Sequence, residues 1–198
     1  MSKKSIISTL LSIIFVLAIV FLDPKSDTLD GFNKNYERST YFENCTTENS
    51  PESATSTLFH VVDVSDGDTI VISQGCKPVT VRLIGIDTPE TVDPRKPVQC
   101  FGKEASDYTK TNLKGKNVTI ETDETQDIHD KYGRLLGYVI LEDELGNKIN
   151  FNERLVEEGY AHEYTYKVPY KYQERFKTAE SHARESQRGL WAMNVCSQ

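Results

Sequence analysis

The chain has 198 residues, 37% of them hydrophobic and 27% charged, with a formal net charge of −7. That length and composition suit one compact water-soluble domain with extensions. The acidic balance excludes a protein that grips polyanions through a broad basic field, while leaving room for a local cationic site in a cleft.

Lys3 and Lys4 precede an uncharged run, SIISTLLSIIFVLAIVFL, at residues 5–22. A positive start followed by an apolar segment is the pattern of an export signal. The run also has about the 20-residue length that crosses a bilayer. Residues 1–22 are therefore expected to be a signal peptide or a membrane anchor, and either way the rest of the chain is exported. Residues 23–56 are polar, rich in Ser, Thr, Asn and Asp, and without an apolar period, which predicts a disordered linker. The regular pattern begins near residue 57 and marks one domain over 57–198.

Within it, β-branched runs punctuated by Gly, Asp and Pro predict strands at 58–65, 69–73 and 79–86. A helix follows at about 101–113, closed near Gly115. Two more strands are expected at 118–123 and 135–141, then a short helix at 151–159. The last helix is placed from Pro169 to Gln187, because Tyr172, Phe176, Ala179 and Ala183 share one apolar face. Gly189 should stop it, and Trp191 should fold back onto the domain. Three strands, a helix and two more strands is the order of an OB-fold barrel, so the expected class is α+β, mainly β: a five-stranded barrel with three packed helices.

The polar residues cluster at strand ends. Asp68 follows the first hairpin turn, and Asp87 and Thr88 end the third strand. Two carboxylates and a backbone carbonyl, without His or Cys, are the donor set of Ca²⁺ or Mg²⁺. The four cysteines form no C-x-x-C pair and lie far from the histidines, which argues against zinc. The plainer reading makes Asp66 and Asp68 turn formers only. Arg82 lies inside an apolar strand, where an unpartnered guanidinium would be costly. A structural salt bridge would explain it alone, but Arg134 of DKYGR (130–134) adds a second cation. Arginine forks match phosphate oxygens and the charge of a phosphoryl-transfer transition state. Glu90 is placed to orient or deprotonate an attacking water.

The segments DGDT, VRLIGIDTPE and DKYGR, together with FGKEAS (101–106), NERLVEEGYA (152–161) and AESHARESQRGLW (179–191), resemble the staphylococcal nuclease (thermonuclease) family in order, spacing and residue type. The likeness spans about 57–192. It implies an OB-fold barrel with three helices and a Ca²⁺-dependent nuclease acting on DNA and RNA and leaving 3′-phosphate ends. On the matching positions, Asp68, Asp87 and the Thr88 carbonyl would hold calcium. Arg82, Glu90 and Arg134 would be catalytic. Lys131, Tyr132, Tyr164 and Tyr166 would line the nucleotide pocket. A monomer is expected, with no obligate protein partner and with the membrane engaged only if residues 1–22 stay attached. A non-catalytic nucleic-acid or protein-binding module on the same barrel is the alternative.

Two features depart from the resemblance. Residues 57–198 hold 18 Lys plus Arg against 23 Asp plus Glu, so the domain is acidic although its substrate would be a polyanion. The segment after Glu90, residues 91–99, keeps only Arg95 and Lys96 as cations. Cysteine usage adds a second departure. Cys45, Cys76, Cys100 and Cys196 allow two disulfides in an exported chain, and Cys76–Cys100 is one candidate bridge.

Overall fold

The computed structural model describes residue 42 and residues 58–93 and 97–196. The expected anchor or signal (1–22), the expected linker apart from residue 42, and both cations of the 91–99 segment lie outside the described residues.

The strands are β1 (Leu58–Asp66), β2 (Thr69–Gln74), β3 (Lys77–Leu83), β4 (Ile86–Asp87), β5 (Asn117–Glu121), β6 (Leu135–Glu142), β7 (Lys148–Asn150) and β8 (His162–Glu163). The helices are α1 (Gly102–Leu113), α2 (Phe151–Glu157) and α3 (Gln173–Glu185), with a 3₁₀ turn at Gly189–Trp191. β1, β2 and β3 form an antiparallel meander, and β1 pairs on its other edge with β5, which pairs with β6. A parallel pairing of β3 with β6 closes the ring, so the five long strands form the expected barrel. Two irregularities in the β1–β2 register, between Val61 and Asp63 and between Val64 and Asp66, supply the bend that closure needs.

Alternate residues of these strands point into one core. Val61, Ile70, Ile72, Val81, Leu83, Val118 and Val139 are almost fully buried, and the helices cap the barrel with Leu113, Phe151, Leu155 and Phe176. Each such side chain contributes about 1.5–3 kcal/mol by leaving water. An aromatic run joins α1 to α2: Phe101 stacks on Tyr160 at 5.4 Å, Tyr160 on Tyr108 at 4.1 Å, and Tyr108 on Phe151 at 6.0 Å. Trp191 does fold back, edge-on to His162 at 4.8 Å and under the Arg184 guanidinium at 3.8 Å.

Three expectations are corrected, and two short strands are added. The third strand does not run unbroken to Ile86. Gly85 turns the chain with φ 78°, and a Cβ there would lie 2.6 Å from the Tyr170 ring, so the strand breaks and restarts as β4. The last helix begins at Gln173, not Pro169: residues 171–172 form a turn in which the Gln173 amide donates to the Tyr170 carbonyl at 3.1 Å and the Lys171 amide to Asp123 Oδ2 at 2.7 Å. The short strands β7 and β8 carry too few residues to show a period. Cys76 and Cys100 do not pair: Cys100 is bonded to Cys196, and Cys76 is disulfide-bonded to a cysteine outside the described residues.

One buried carboxylate ties the end of the barrel beneath the cleft. Asp123 accepts from Tyr138 Oη at 2.6 Å, from the Lys171 amide at 2.7 Å, and from the Thr125 amide and hydroxyl at 2.9 and 2.8 Å. Burial pushes its pKa up, but these donors outweigh burial and hold it below the usual 3.8. A carboxylate depressed in the fold stabilises fully above its unfolded value and loses that contribution as pH falls through its folded value. Asp123→Ala should lower the unfolding free energy by about 3 kcal/mol at pH 7, because Tyr138 Oη and the Lys171 amide lose their acceptor. The gap should narrow below about pH 4. Urea unfolding of both proteins at pH 7 and pH 3 checks this, and a constant gap would rule out the charge-dependent part.

Candidate active site

Backbone pairing assembles the site. Thr69 of β2 pairs with Arg82 of β3, and the Leu83 amide donates to the Asp68 carbonyl at 2.9 Å, so Asp68 sits beside Arg82. Across the barrel closure, Arg82 pairs with Leu136, which carries Arg134 to the neighbouring edge. After the Gly85 turn, Asp87 pairs with His162, and the Tyr164 amide donates to the Gly85 carbonyl at 3.0 Å. The sequence-predicted residues from four distant segments thus meet at one end of the barrel.

Asp68 and Asp87 converge on a single atom. Arg82 Nη2 lies 3.0 Å from Asp68 Oδ2 and 2.9 Å from Asp87 Oδ1. Its Nη1 donates to the carbonyls of Leu83 at 3.1 Å and Ile86 at 2.9 Å, which answers the cost of a half-buried guanidinium. Asp68 Oδ2 also accepts from the Thr88 amide at 3.1 Å, and Oδ1 from the Thr69 hydroxyl at 2.9 Å. The hairpin turn is pressed against this corner. A Cβ on Gly67 would meet Thr88 Oγ1 at 2.8 Å, and the Gly67 carbonyl accepts from Thr109 of α1 at 2.7 Å.

Glu90 stands on the segment that leaves β4. Its Oε1 accepts from the amides of Val92 at 2.8 Å and Asp93 at 3.1 Å. Burial pushes its pKa up, and these amides, with the neighbouring Asp66 and Thr91, outweigh burial and set it below the ordinary value. Glu90 is therefore ionised at neutral pH. Arg134 is held by Asp130, whose Oδ2 takes its Nε and its Nη2 at 2.6 Å each. Asp130 Oδ1 accepts the amides of Tyr132 at 2.9 Å and Arg134 at 3.0 Å, so one carboxylate shapes the turn and orients the guanidinium.

Arg82, Asp87 and Arg134 face an open cleft of about 990 Å³ that Lys131, Tyr132, Tyr164 and Tyr166 also line. Tyr132 is 71% exposed and Tyr166 64%, so their ring faces are available for stacking. Tyr132 carries Lys131 Nζ at 5.0 Å and the Arg134 guanidinium at 5.4 Å from its centroid. Of the ten expected site residues, seven line this cleft; Asp68 adjoins it through Arg82, Thr88 through Asp68, and Glu90 stands on the segment that follows Asp87. Among the described residues, no three His, Cys, Asp or Glu side chains converge as a metal cluster.

Sequence reasoning missed three contributors. Asp66, taken for a turn former, does bond the Gly67 amide at 2.9 Å but also accepts from the Thr91 hydroxyl at 2.7 Å, tying the Glu90 segment to the hairpin. Asp130 stands four residues before Arg134, a spacing that could have flagged it. Gln99 gave no signal, because its partner Glu90 is nine residues away in an irregular segment.

Comparison with known proteins agrees with this geometry. The family model described as "Staphylococcal nuclease homologue" matches residues 80–193. The chain is 43% identical to the thermonuclease of Staphylococcus hyicus over 139 residues, which is 70% of this chain and 78% of that protein. It is 44% identical to the thermonuclease of Staphylococcus intermedius over 128 residues, 65% of this chain and 72% of that protein. The SPbeta prophage-derived endonuclease YokF of Bacillus subtilis is 38% identical over 130 residues, 65% of this chain and 42% of that protein. With the barrel, the converging carboxylates and the two arginines in place, the chain belongs to the staphylococcal nuclease family.

Proposed function

We propose that this nuclease hydrolyses phosphodiester bonds of DNA and RNA with the help of one Ca²⁺, leaves 3′-phosphate ends, and acts outside the cytoplasmic membrane as a secreted or tethered monomer. The carrying observation is the convergence of Asp68 and Asp87 on Arg82 Nη2, with Arg134 one strand away on the same cleft. The Cys100–Cys196 disulfide, with Cys76 also oxidised, supports an oxidising compartment.

The donor set fits a hard divalent cation. Asp68 and Asp87 offer oxygen only, and the Thr88 carbonyl would complete the set. The local charge fits as well. Burial pushes the Asp87 carboxyl up, Arg82 pulls it down, and the like charges of Asp68 and Glu90 push it up again. Burial likewise pushes Asp66 up, against its bonds from Thr91 and Gly67, to about 6. Two carboxylates on one guanidinium, with Asp66 and Glu90 acting on them from nearby, leave a negative surplus. When bound, the cation supplies charge neutralisation at a phosphate oxygen.

The chain's own residues do the rest. Arg82 shares one nitrogen between Asp68 and Asp87, the residues that would hold the cation, and its guanidinium would offer a fork to phosphate oxygens. Arg134, oriented by Asp130, presents the second fork to the charge that grows on the phosphorane-like state. Glu90, kept ionised by main-chain amides, accepts the proton of the attacking water. The water oxygen bonds to phosphorus, the bond to the 5′ oxygen breaks, and the phosphate stays on the 3′ side. Tyr132, Tyr164 and Tyr166 offer stacking faces to bases, and Lys131 reaches a terminal phosphate.

The full chain should cleave single-stranded DNA and RNA with Ca²⁺, and chelator should abolish cleavage. Arg82→Ala, Arg134→Ala and Glu90→Gln should each lower kcat by roughly 10²-fold or more. Near-normal turnover in any of the three would remove that residue from the mechanism. No cleavage under any metal would leave a binding module.

The acidic surplus has its own signature. A carboxyl raised in the fold stabilises most when protonated, and the contribution is lost as pH rises from the unfolded value of 3.8 to about 6. In chelator, Asp66→Asn should therefore unfold at a higher temperature than the unsubstituted chain at pH 7, and the difference should vanish near pH 4. A lower unfolding temperature for Asp66→Asn at pH 7 would show that the Asp66 charge is needed for folding.

A further inference from the structure

Glu90 and Gln99 close a ring of main chain. The Glu90 amide donates to Gln99 Oε1 at 2.8 Å, and the Gln99 amide returns a bond to the Glu90 carbonyl at 2.9 Å. On one side of Glu90 the Thr91 hydroxyl reaches back to Asp66. On the far side of Gln99 the chain is fastened at once. The Gln99 carbonyl accepts from the Gly102 amide at 3.0 Å as α1 begins, Cys100 is bonded to Cys196, and Phe101 is stacked on Tyr160.

The energetic contrast decides which link matters. Gln99 is exposed, and one exposed hydrogen bond contributes only about 1 kcal/mol. That is too little to hold a segment still unless its far end is already immobile. The disulfide, which spans 96 residues, supplies that immobility by anchoring the position next to Gln99 to the C-terminal segment. A proton acceptor loses much of its effect when displaced by about 1 Å.

We infer that the Cys100–Cys196 disulfide is a positioning element of the nuclease reaction, acting through Gln99 on the place of Glu90. It rests on the reading of Glu90 as the acceptor of the water proton. Gln99 is not among the residues that line the cleft. Its part is to fix the main chain from which Glu90 projects.

The test is a thermodynamic cycle on the full chain, read as kcat and KM on a single-stranded oligonucleotide with Ca²⁺, well below the unfolding temperature of every variant. Gln99→Leu removes the acceptor and should lower kcat by about 10-fold with KM little changed. Gln99→Glu keeps an acceptor at the same reach and should restore kcat. Cys100→Ser with Cys196→Ser should lower kcat by about 10-fold as well. Adding Gln99→Leu to that pair should lower it little further, because both changes act through one link. Losses that multiply to about 100-fold would overturn the inference, as would a disulfide-free variant with normal kcat per folded molecule. Glu90→Gln runs beside them. If it is inactive while the other variants turn over normally, only the clamp is wrong. If it turns over normally, the reading of Glu90 falls and the clamp with it.

Discussion

The acidic end of this barrel depends on one short parallel pairing, Val81–Leu83 against Leu135–Gly137. Without it β3 and the first residues of β6 would be unpaired margins of an open sheet, and Arg82 and Arg134 would sit far apart on them. With it the two guanidiniums face one cleft from adjacent strands. Parallel closure of so few residues is a weak interaction by itself. It holds because β3 is already paired with β2 along its length, because β6 is paired with β5 and β7, and because Val81, Leu83 and Val139 bury their side chains in the common core. Gly137 leaves room for Ile120 of β5: a Cβ there would lie 2.6 Å from that side chain.

Charge is concentrated where the barrel closes. Asp66, Asp68, Asp87 and Glu90 come from a hairpin turn and the exit of a strand, and the fold gathers them at one corner, where only Asp68 and Asp87 reach Arg82, at the expense of local stability. The displaced pKa values of Asp66 and Asp87 express that strain, since burial and like charges both favour the neutral form. A site that holds surplus negative charge in the absence of a partner is one that gains when a cation arrives. On the proposed reading, stability and cation affinity would be coupled: whatever lowers the surplus by substitution would also lower what a divalent ion could relieve.

Much of this was legible in the sequence, for identifiable reasons. The β-branched runs and their Gly and Asp punctuation marked the long strands, because period and turn chemistry act locally. Arg82 announced itself by standing in an apolar strand, and Asp87 and Glu90 by crowding its exit. What stayed hidden depends on contacts between distant segments. The break at Gly85 follows from the Tyr170 ring packed above it. The late start of the last helix follows a turn at residues 170–173 whose Lys171 amide is held by the distant Asp123. The Cys100–Cys196 pairing joins residues 96 apart, and spacing alone could not choose it over the others. Asp130 was visible inside DKYGR, yet its role needed the observation that one carboxylate takes both the Arg134 fork and two amides.

The overall charge then becomes intelligible. A domain with more acids than bases does not collect nucleic acid through its long-range field, and counterion release contributes little to its binding. Within the cleft, Arg82, Arg134, Lys131 and Lys167 face Asp87, Glu124, Asp127 and Asp130, so even there the formal charges balance. Recognition on the proposed reading is therefore short-ranged. It relies on aromatic faces for bases and on two arginine forks for one phosphate, with the forks fully available only when the carboxylates are engaged elsewhere. Such an enzyme would bind loosely along a strand and act where a phosphate, a cation and a flexible, unpaired base meet. Its affinity should vary less steeply with salt than that of a basic nuclease, because few counterions are displaced when it binds.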